Sequence, residues 1–161
     1  MREAPTLSVV IVAWRAREYV MRCLESLEAD AGLAYEAIIV DDGSGDGTPE
    51  AVSQRFPAAQ VISKSTNEGL VAGRNTALEQ VEGRFVLMLD ADTVVRPGAL
   101  PALVDVLERD ADVGLVGPKL VYPDGSLQLS CRRYPQLLLP FLRRGPLARL
   151  FPDPPAHRHH L

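Results

Sequence analysis

A short apolar run, Leu7-Ser-Val-Val-Ile-Val-Ala13, opens the patterned part of the chain. A run of that length with so little polarity predicts a strand buried on both faces, as in a parallel sheet. From Glu18 to Glu28 the period changes. Val20, Cys23, Leu24 and Leu27 fall at i, i+3, i+4 and i+7, which predicts a helix. Tyr35 to Val40 reads as a second strand and ends in Asp41-Asp42-Gly43-Ser44-Gly45. Thr48-Pro49 is an N-cap followed by a first-turn proline, and that helix is expected to run to about Phe56. Gln60 to Ser63 is a third strand. Asn67-Glu68-Gly69 opens another helix, with Leu70, Arg74, Ala77, Leu78 and Val81 expected on one face. Phe85 to Leu89 is a fourth strand, running straight into Asp90-Ala91-Asp92. Pro97 starts a helix that turns Leu100, Leu103, Val104 and Leu107 inward. Gly114 to Val121 reads as a further strand, and Pro123-Asp-Gly-Ser126 turns it into a hairpin with Leu127 to Leu129. Strands alternating with helices predict an α/β fold, a mainly parallel sheet flanked by helices and joined by short connections. No internal repeat and no linker is visible.

Composition narrows the class. The chain has 161 residues, 47% of them hydrophobic, enough for one domain with a core and too many for disorder. No apolar stretch approaches the roughly 18–20 residues of a membrane-spanning helix. Leu7 to Ala13 is too short, and too soon followed by charge, for a signal peptide. Cys23 and Cys131 form no metal-like spacing and read as buried thiols of a reducing compartment, so the cytoplasm is the expected location. The net charge of −4 is uneven: from residue 131 on, six arginines against one aspartate give +5, leaving −9 on residues 1–130. The acidic part does not fit a nucleic-acid binder. Residues 131–161 mix Arg with Leu and Phe, and prolines at 135, 140, 146, 152, 154 and 155 interrupt every apolar run. That tail suits an anionic membrane surface, a partner, or the start of an incomplete domain. His157, His159 and His160 lack neighbouring ligands apart from Asp153 and are not read as a metal site.

The candidate chemistry lies at strand ends. In a parallel sheet the C-terminal ends share one edge, where ligands bind. Ala13-Trp14-Arg15, Asp41-Asp42-Gly43-Ser44 and Asp90-Ala91-Asp92 therefore converge. Asp90 and Asp92, at i and i+2, could point the same way, because strand side chains alternate. Two adjacent carboxylates repel, and a hard divalent cation, Mg²⁺ or Mn²⁺, relieves this and could hold phosphates. Asn67-Glu68-Gly69 begins a helix whose free N–H groups suit a pyrophosphate. Arg74 could reach a phosphate or a base carbonyl. Taken singly, each has a plainer explanation: turn chemistry for Asp41 to Ser44, a helix cap for Asp90 and Asp92, a surface position for Arg74.

Four ordered motifs closely resemble the family-two glycosyltransferases of the GT-A fold. They are Ser8-Val-Val-Ile-Val-Ala13, Ile38-Ile-Val-Asp-Asp-Gly-Ser44, Asn67-Glu-Gly-Leu-Val-Ala-Gly-Arg-Asn75 and Val86-Leu-Met-Leu-Asp-Ala-Asp92. Gly117-Pro118-Lys119-Leu120 and Asp124-Gly125-Ser126-Leu127-Gln128 look like the rhamnosyltransferase-like branch, strengthened by Arg132-Arg133-Tyr134-Pro135 and the Leu/Arg tail. The resemblance implies a Rossmann-like, nucleotide-diphospho-sugar transferase fold over residues 1–130. It implies transfer from a UDP- or dTDP-sugar to an acceptor hydroxyl, metal-dependent and inverting. Donor-binding residues would be Ala13, Asp41, Asp42, Asn67, Gly69, Arg74, Asp90 and Ala91. Ala13 and Asp41 would meet the base, Arg74 the base or diphosphate, Asp90 the ribose, and Asp92, with Asp90, the metal. Asp92 would also serve catalysis through that metal. Saccharide or lipid-linked acceptors, cell-envelope polysaccharide synthesis and the inner membrane face follow as family expectations.

The family's general base lies well downstream, and the only acid after Asp124 is Asp153, set among prolines. The chain is therefore read as stopping before the acceptor and base segment. A non-catalytic nucleotide-sugar-binding fragment is the alternative. A nucleotidyltransferase is disfavoured because Ala13-Trp14-Arg15-Ala16-Arg17 lacks glycine, and a Rossmann dehydrogenase because no G-x-G-x-x-G follows the first strand.

Overall fold

The computed structural model describes residues 4–30 and 32–130. Eight elements alternate through the first of its two compact units, which closes at Val116. They are β1 (Leu7–Ala13), α1 (Arg17–Ala29), β2 (Tyr35–Asp41), α2 (Thr48–Arg55), β3 (Gln60–Ser63), α3 (Leu70–Leu78), β4 (Phe85–Asp90) and α4 (Ala99–Arg109). The strands form one all-parallel sheet in the order β3-β2-β1-β4. The predicted α/β fold and the first four predicted strands are thereby observed.

β1 runs through the centre because both of its faces are apolar. Leu7, Val9, Ile11 and Ala13 join Ala37 and Ile39 of β2 in a core covered by α1, α2 and α4. Val10 faces the other way, with Ile38, Val40 and Ala77 of α3. The inward face of α3 differs from the expected one. Gly73 and Ala77 are buried, whereas Leu70 and Leu78 are exposed. The reason is proximity: a Cβ on Gly73 would lie 2.6 Å from Val12 Cγ1, so the helix rests on the sheet through its smallest residues. Val81 packs beyond the helix end.

Gly114 to Val121 is not a strand. Gly114, Gly117 and Pro118 break the run, Leu115 is exposed, and only Val121 forms a bridge, antiparallel to Leu127. The expected hairpin survives as that single bridge. The Tyr122 N–H donates to Ser126 O (2.8 Å) and the Gln128 N–H to Leu120 O (3.0 Å), while Asp124 Oδ1 accepts from the Ser126 amide (2.8 Å). These residues belong to the second unit, which begins at Gly117. Cys131, the histidines and the basic tail lie outside the described residues. Among the described residues, no helix is long and apolar enough to cross a membrane.

Candidate functional site at the C-terminal edge of the sheet

Register brings the strand ends together. Ala13 stands opposite Asp41 on one side, Val12 opposite Asp90 on the other, and Asp41 opposite Ser63. Two open clefts lie on this edge. One, of about 600 Å³, is lined by Ala13, Trp14, Tyr19, Leu70 and Asp90 to Asp92. The other, of about 380 Å³, is lined by Asp41, Gly45, Glu50, Ser63 and Lys64. The predicted residues are thus divided between neighbouring clefts, and Asp42, Asn67, Gly69 and Arg74 line neither.

The two adjacent aspartates have opposite situations. Asp42 is buried and engaged: its Oδ1 accepts from the Glu68 N–H (3.1 Å) and its Oδ2 from the Gly69 N–H (2.8 Å). The Gly69 N–H is also shared with Asn67 Oδ1 (3.1 Å). Asp42 thus occupies the Glu68 and Gly69 amides just before α3, while the first-turn amides of the helix itself, which the sequence offers to a pyrophosphate, carry no side-chain cap. Gly43 permits the approach, because a Cβ there would fall 2.6 Å from the Thr66 carbonyl carbon and φ is +72°. Lys64 Nζ lies 4.0 Å from Asp42 and 2.8 Å from Glu68, with its side chain only 10% exposed. Asp41 is equally buried, at 3% exposure. Its Oδ2 accepts from the Ser44 N–H (3.2 Å), but no donor among the described residues reaches Oδ1. A buried carboxylate oxygen left so costs about 1–3 kcal/mol.

Asp90 and Asp92 also diverge. β4 ends at Asp90, so strand alternation does not extend to Asp92, which sits in the following turn. Asp90 Oδ1 accepts from Arg74 Nη2 at 3.0 Å. Both side chains are well exposed, and such a pair contributes at most about 1 kcal/mol, so a ligand can displace it cheaply. Asp92 lies near α1. Burial, then the charge of Asp92, pushes the Cys23 thiol up to about 12, leaving it neutral and unreactive. Both carboxylates offer hard oxygen ligands to Mg²⁺ or Mn²⁺. Among the described residues no group of three or more His, Cys, Asp or Glu could hold an ion unaided. Without a third protein ligand among them, these two carboxylates could hold an ion only where a ligand or water supplied the remaining oxygens.

Trp14 and Arg15, which the sequence places on this edge without a role, complete the rim. Trp14 is 51% exposed, and the Arg15 guanidinium lies 5.0 Å from its ring centroid. Arg15 is a non-glycine residue at φ +51°, held there by its N–H bond to Ser44 Oγ (2.8 Å). Their signal was position, directly after β1, as Lys64 directly follows β3.

Asp46 secures the edge from outside. Its Oδ1 accepts from the Thr48 amide (3.0 Å) and hydroxyl (2.6 Å) at the start of α2. Burial raises its pKa, but these bonds outweigh it and hold the group below its ordinary 3.8. A depressed carboxylate contributes stability above its unfolded value and loses it as pH falls through the folded one. Acid unfolding monitored below about pH 4 is therefore expected to be less steep in Asp46→Asn than in the wild type. Parallel curves would remove Asp46 from that balance.

The sequence profile described as Glycosyl transferase family 2 matches residues 8–153. The succinoglycan biosynthesis protein ExoO of Rhizobium meliloti is 30% identical over 145 residues, covering 86% of this chain and 42% of that protein. An N-acetylglucosaminyl-diphospho-decaprenol L-rhamnosyltransferase of Mycobacterium tuberculosis is 29% identical, covering 82% of this chain and 47% of that protein. The chain thus spans less than half the length of these curated relatives. Among solved structures, S. aureus TarS 1-349 in complex with UDP superposes with a TM-score of 0.59 at 29% identity, over 65% of this chain and 32% of that one. A mannosyltransferase from Pyrobaculum calidifontis with GDP-Man and Mn²⁺ superposes at 0.56 and 24% identity, over 66% and 32%, and shares the fold. With the profile covering nearly the whole sequence and the sheet edge carrying the motifs that first suggested it, the chain belongs to glycosyl transferase family 2.

Proposed function

We propose that this chain forms the donor half of a glycosyltransferase that uses a UDP- or dTDP-sugar and transfers the sugar, with inversion, to an acceptor hydroxyl. The observation carrying this reading is Asp41 Oδ1, a buried acceptor at the ligand-binding edge that meets no donor among the described residues. Uracil and thymine both present an N–H flanked by carbonyls, which matches it. The Ala13 backbone lies beside Asp41 in register, and Trp14 offers an exposed aromatic face on which a base can stack. Arg74 leaves Asp90 for the diphosphate, freeing Asp90 for the ribose or for the ion. Asp92, with Asp90, would hold a divalent cation, which neutralises charge growing on the nucleoside diphosphate as it leaves.

Asp42, with Lys64 and Glu68, keeps the loop before α3 in place and need not touch the donor. Asn67 and Gly69 act in that loop, and Ala91 spaces the two carboxylates. In this reading the base that takes the acceptor proton comes from outside residues 4–130, and the acceptor is a saccharide or lipid-linked sugar of a cell-envelope polysaccharide. The protein would then work in the cytoplasm at the inner membrane face, the basic tail against anionic lipid.

Thermal unfolding with UDP, dTDP and GDP, each with and without Mn²⁺, tests the donor assignment. UDP or dTDP at about 100 times its Kd adds about 2.7 kcal/mol, roughly 5–10 °C for a domain of this size. No shift with any nucleotide would sink the proposal. A shift without transfer to any acceptor would leave a nucleotide-sugar-binding domain.

A further inference from the structure

Asp92 lies beyond the last hydrogen-bonded residue of β4, so the sheet does not fix it. The loop that carries it is held elsewhere. The Val95 N–H donates to Ser26 Oγ (2.9 Å), and the Ser26 hydroxyl donates onward to Cys23 O (2.6 Å). Three residues further, the Gly98 N–H donates to Asp30 Oδ1 (2.7 Å) and the Leu100 N–H to Asp30 Oδ2 (3.0 Å). Both clamps come from the C-terminal half of α1. Val95 and Leu100 are buried in the core between them.

The placement of Asp30 shows which helix it serves. It caps the C-terminus of α1, where the helix dipole opposes a carboxylate. It is 4% exposed, so water does not relieve that cost. Its two oxygens are used at the other end of a dipole, on the first amides of α4, which has no cap of its own. Ser26 likewise completes a relay from the backbone of α1 to the backbone of the loop. Together they fasten residues 95–100 to α1, while the Thr93 N–H donates back to Asp90 O (3.0 Å). Asp92 is suspended between these fixed points.

We propose that Ser26 and Asp30 are positioning residues: they set the place of Asp92, and through it the affinity for a divalent cation bound with a nucleoside diphosphate. This rests on the donor reading above. Neither side chain lines the cleft, so neither touches the ligand. Outer partners of this kind typically govern about 10- to 100-fold in metal affinity.

Trp14 is the only tryptophan and lines the same cleft as Asp92, so its quenching by MnCl₂ in the presence of UDP reports the ion directly. Full-length wild type, Ser26→Ala, Ser26→Thr and Asp30→Asn are titrated well below their unfolding midpoints. Ser26→Ala is expected to raise the apparent Kd for Mn²⁺ about ten-fold, Ser26→Thr to restore it, and Asp30→Asn to raise it comparably. The affinity for UDP without metal should stay unchanged in all of them. Lowered melting midpoints with wild-type Mn²⁺ affinity in the folded protein would overturn the positioning role and leave a purely structural one. Wild type that shows no UDP-dependent Mn²⁺ quenching would overturn the donor reading itself.

Discussion

Asp41→Asn is expected to abolish most UDP affinity while making the unliganded protein more stable. The substitution keeps the shape and replaces a carboxylate by a neutral amide. The buried Oδ1, which meets no donor among the described residues, no longer forces a charge into the sheet edge. The amide leaves a neutral group at the same unpaired position, so the gain comes only from the removed charge and is about 1 kcal/mol at most. Toward a pyrimidine N–H, the amide can present a donor where an acceptor is needed. The lost charged hydrogen bond costs about 3 kcal/mol, roughly a hundred-fold in Kd. Isothermal titration with UDP and thermal unfolding of the same samples give both numbers. Unchanged affinity with reduced stability would make Asp41 a structural residue and remove the main support for the donor reading.

Its neighbour is expected to behave in the opposite way. Asp42→Ala removes the acceptor for the Glu68 and Gly69 amides and the partner of Lys64, a cation with only 10% of its side chain exposed. Breaking buried, charge-assisted hydrogen bonds of this kind costs about 3 kcal/mol, a fall of roughly 6–12 °C in the melting midpoint. Glu68 remains on Lys64, which keeps the loss from being larger. Asp42→Asn retains one acceptor oxygen and should lose less. A loss below about 1 kcal/mol in Asp42→Ala would mean that loop 64–69 finds other partners. Two adjacent carboxylates with opposite effects on stability would separate the ligand-facing role from the structural one more sharply than either variant alone.

The fold was legible because its signals are local and mutually consistent. β1 and β3 match their expected ranges, and Thr48-Pro49 marks the start of α2. Where reading failed, the deciding fact was a neighbour far away in sequence. The inward face of α3 was set by Gly73 against Val12, whereas periodicity favoured Leu70 and Leu78. The apolar content of Gly114 to Val121 suggested a strand, but glycines and a proline prevent it from pairing. In the site, strand order alone placed Ala13, Asp41 and Asp90 on one edge. The sequence could not separate Asp41 from Asp42, which have the same chemistry and adjacent positions but differ in what their oxygens meet. Nothing local marks Ser26, inside the expected helix, or Asp30, just past its end, because their partners lie about 70 residues away.

The central place of β1 also governs the order in which the chain can fold. Leu7 pairs with Tyr35 on one side and with Phe85 on the other. During synthesis one border of β1 can be satisfied early, but the other must wait until β4 emerges. At about 5–20 residues per second, the nascent chain carries its most apolar strand half-paired for several seconds. That interval, more than the finished sheet, is when this polypeptide is most exposed to capture by chaperones or by another copy of itself.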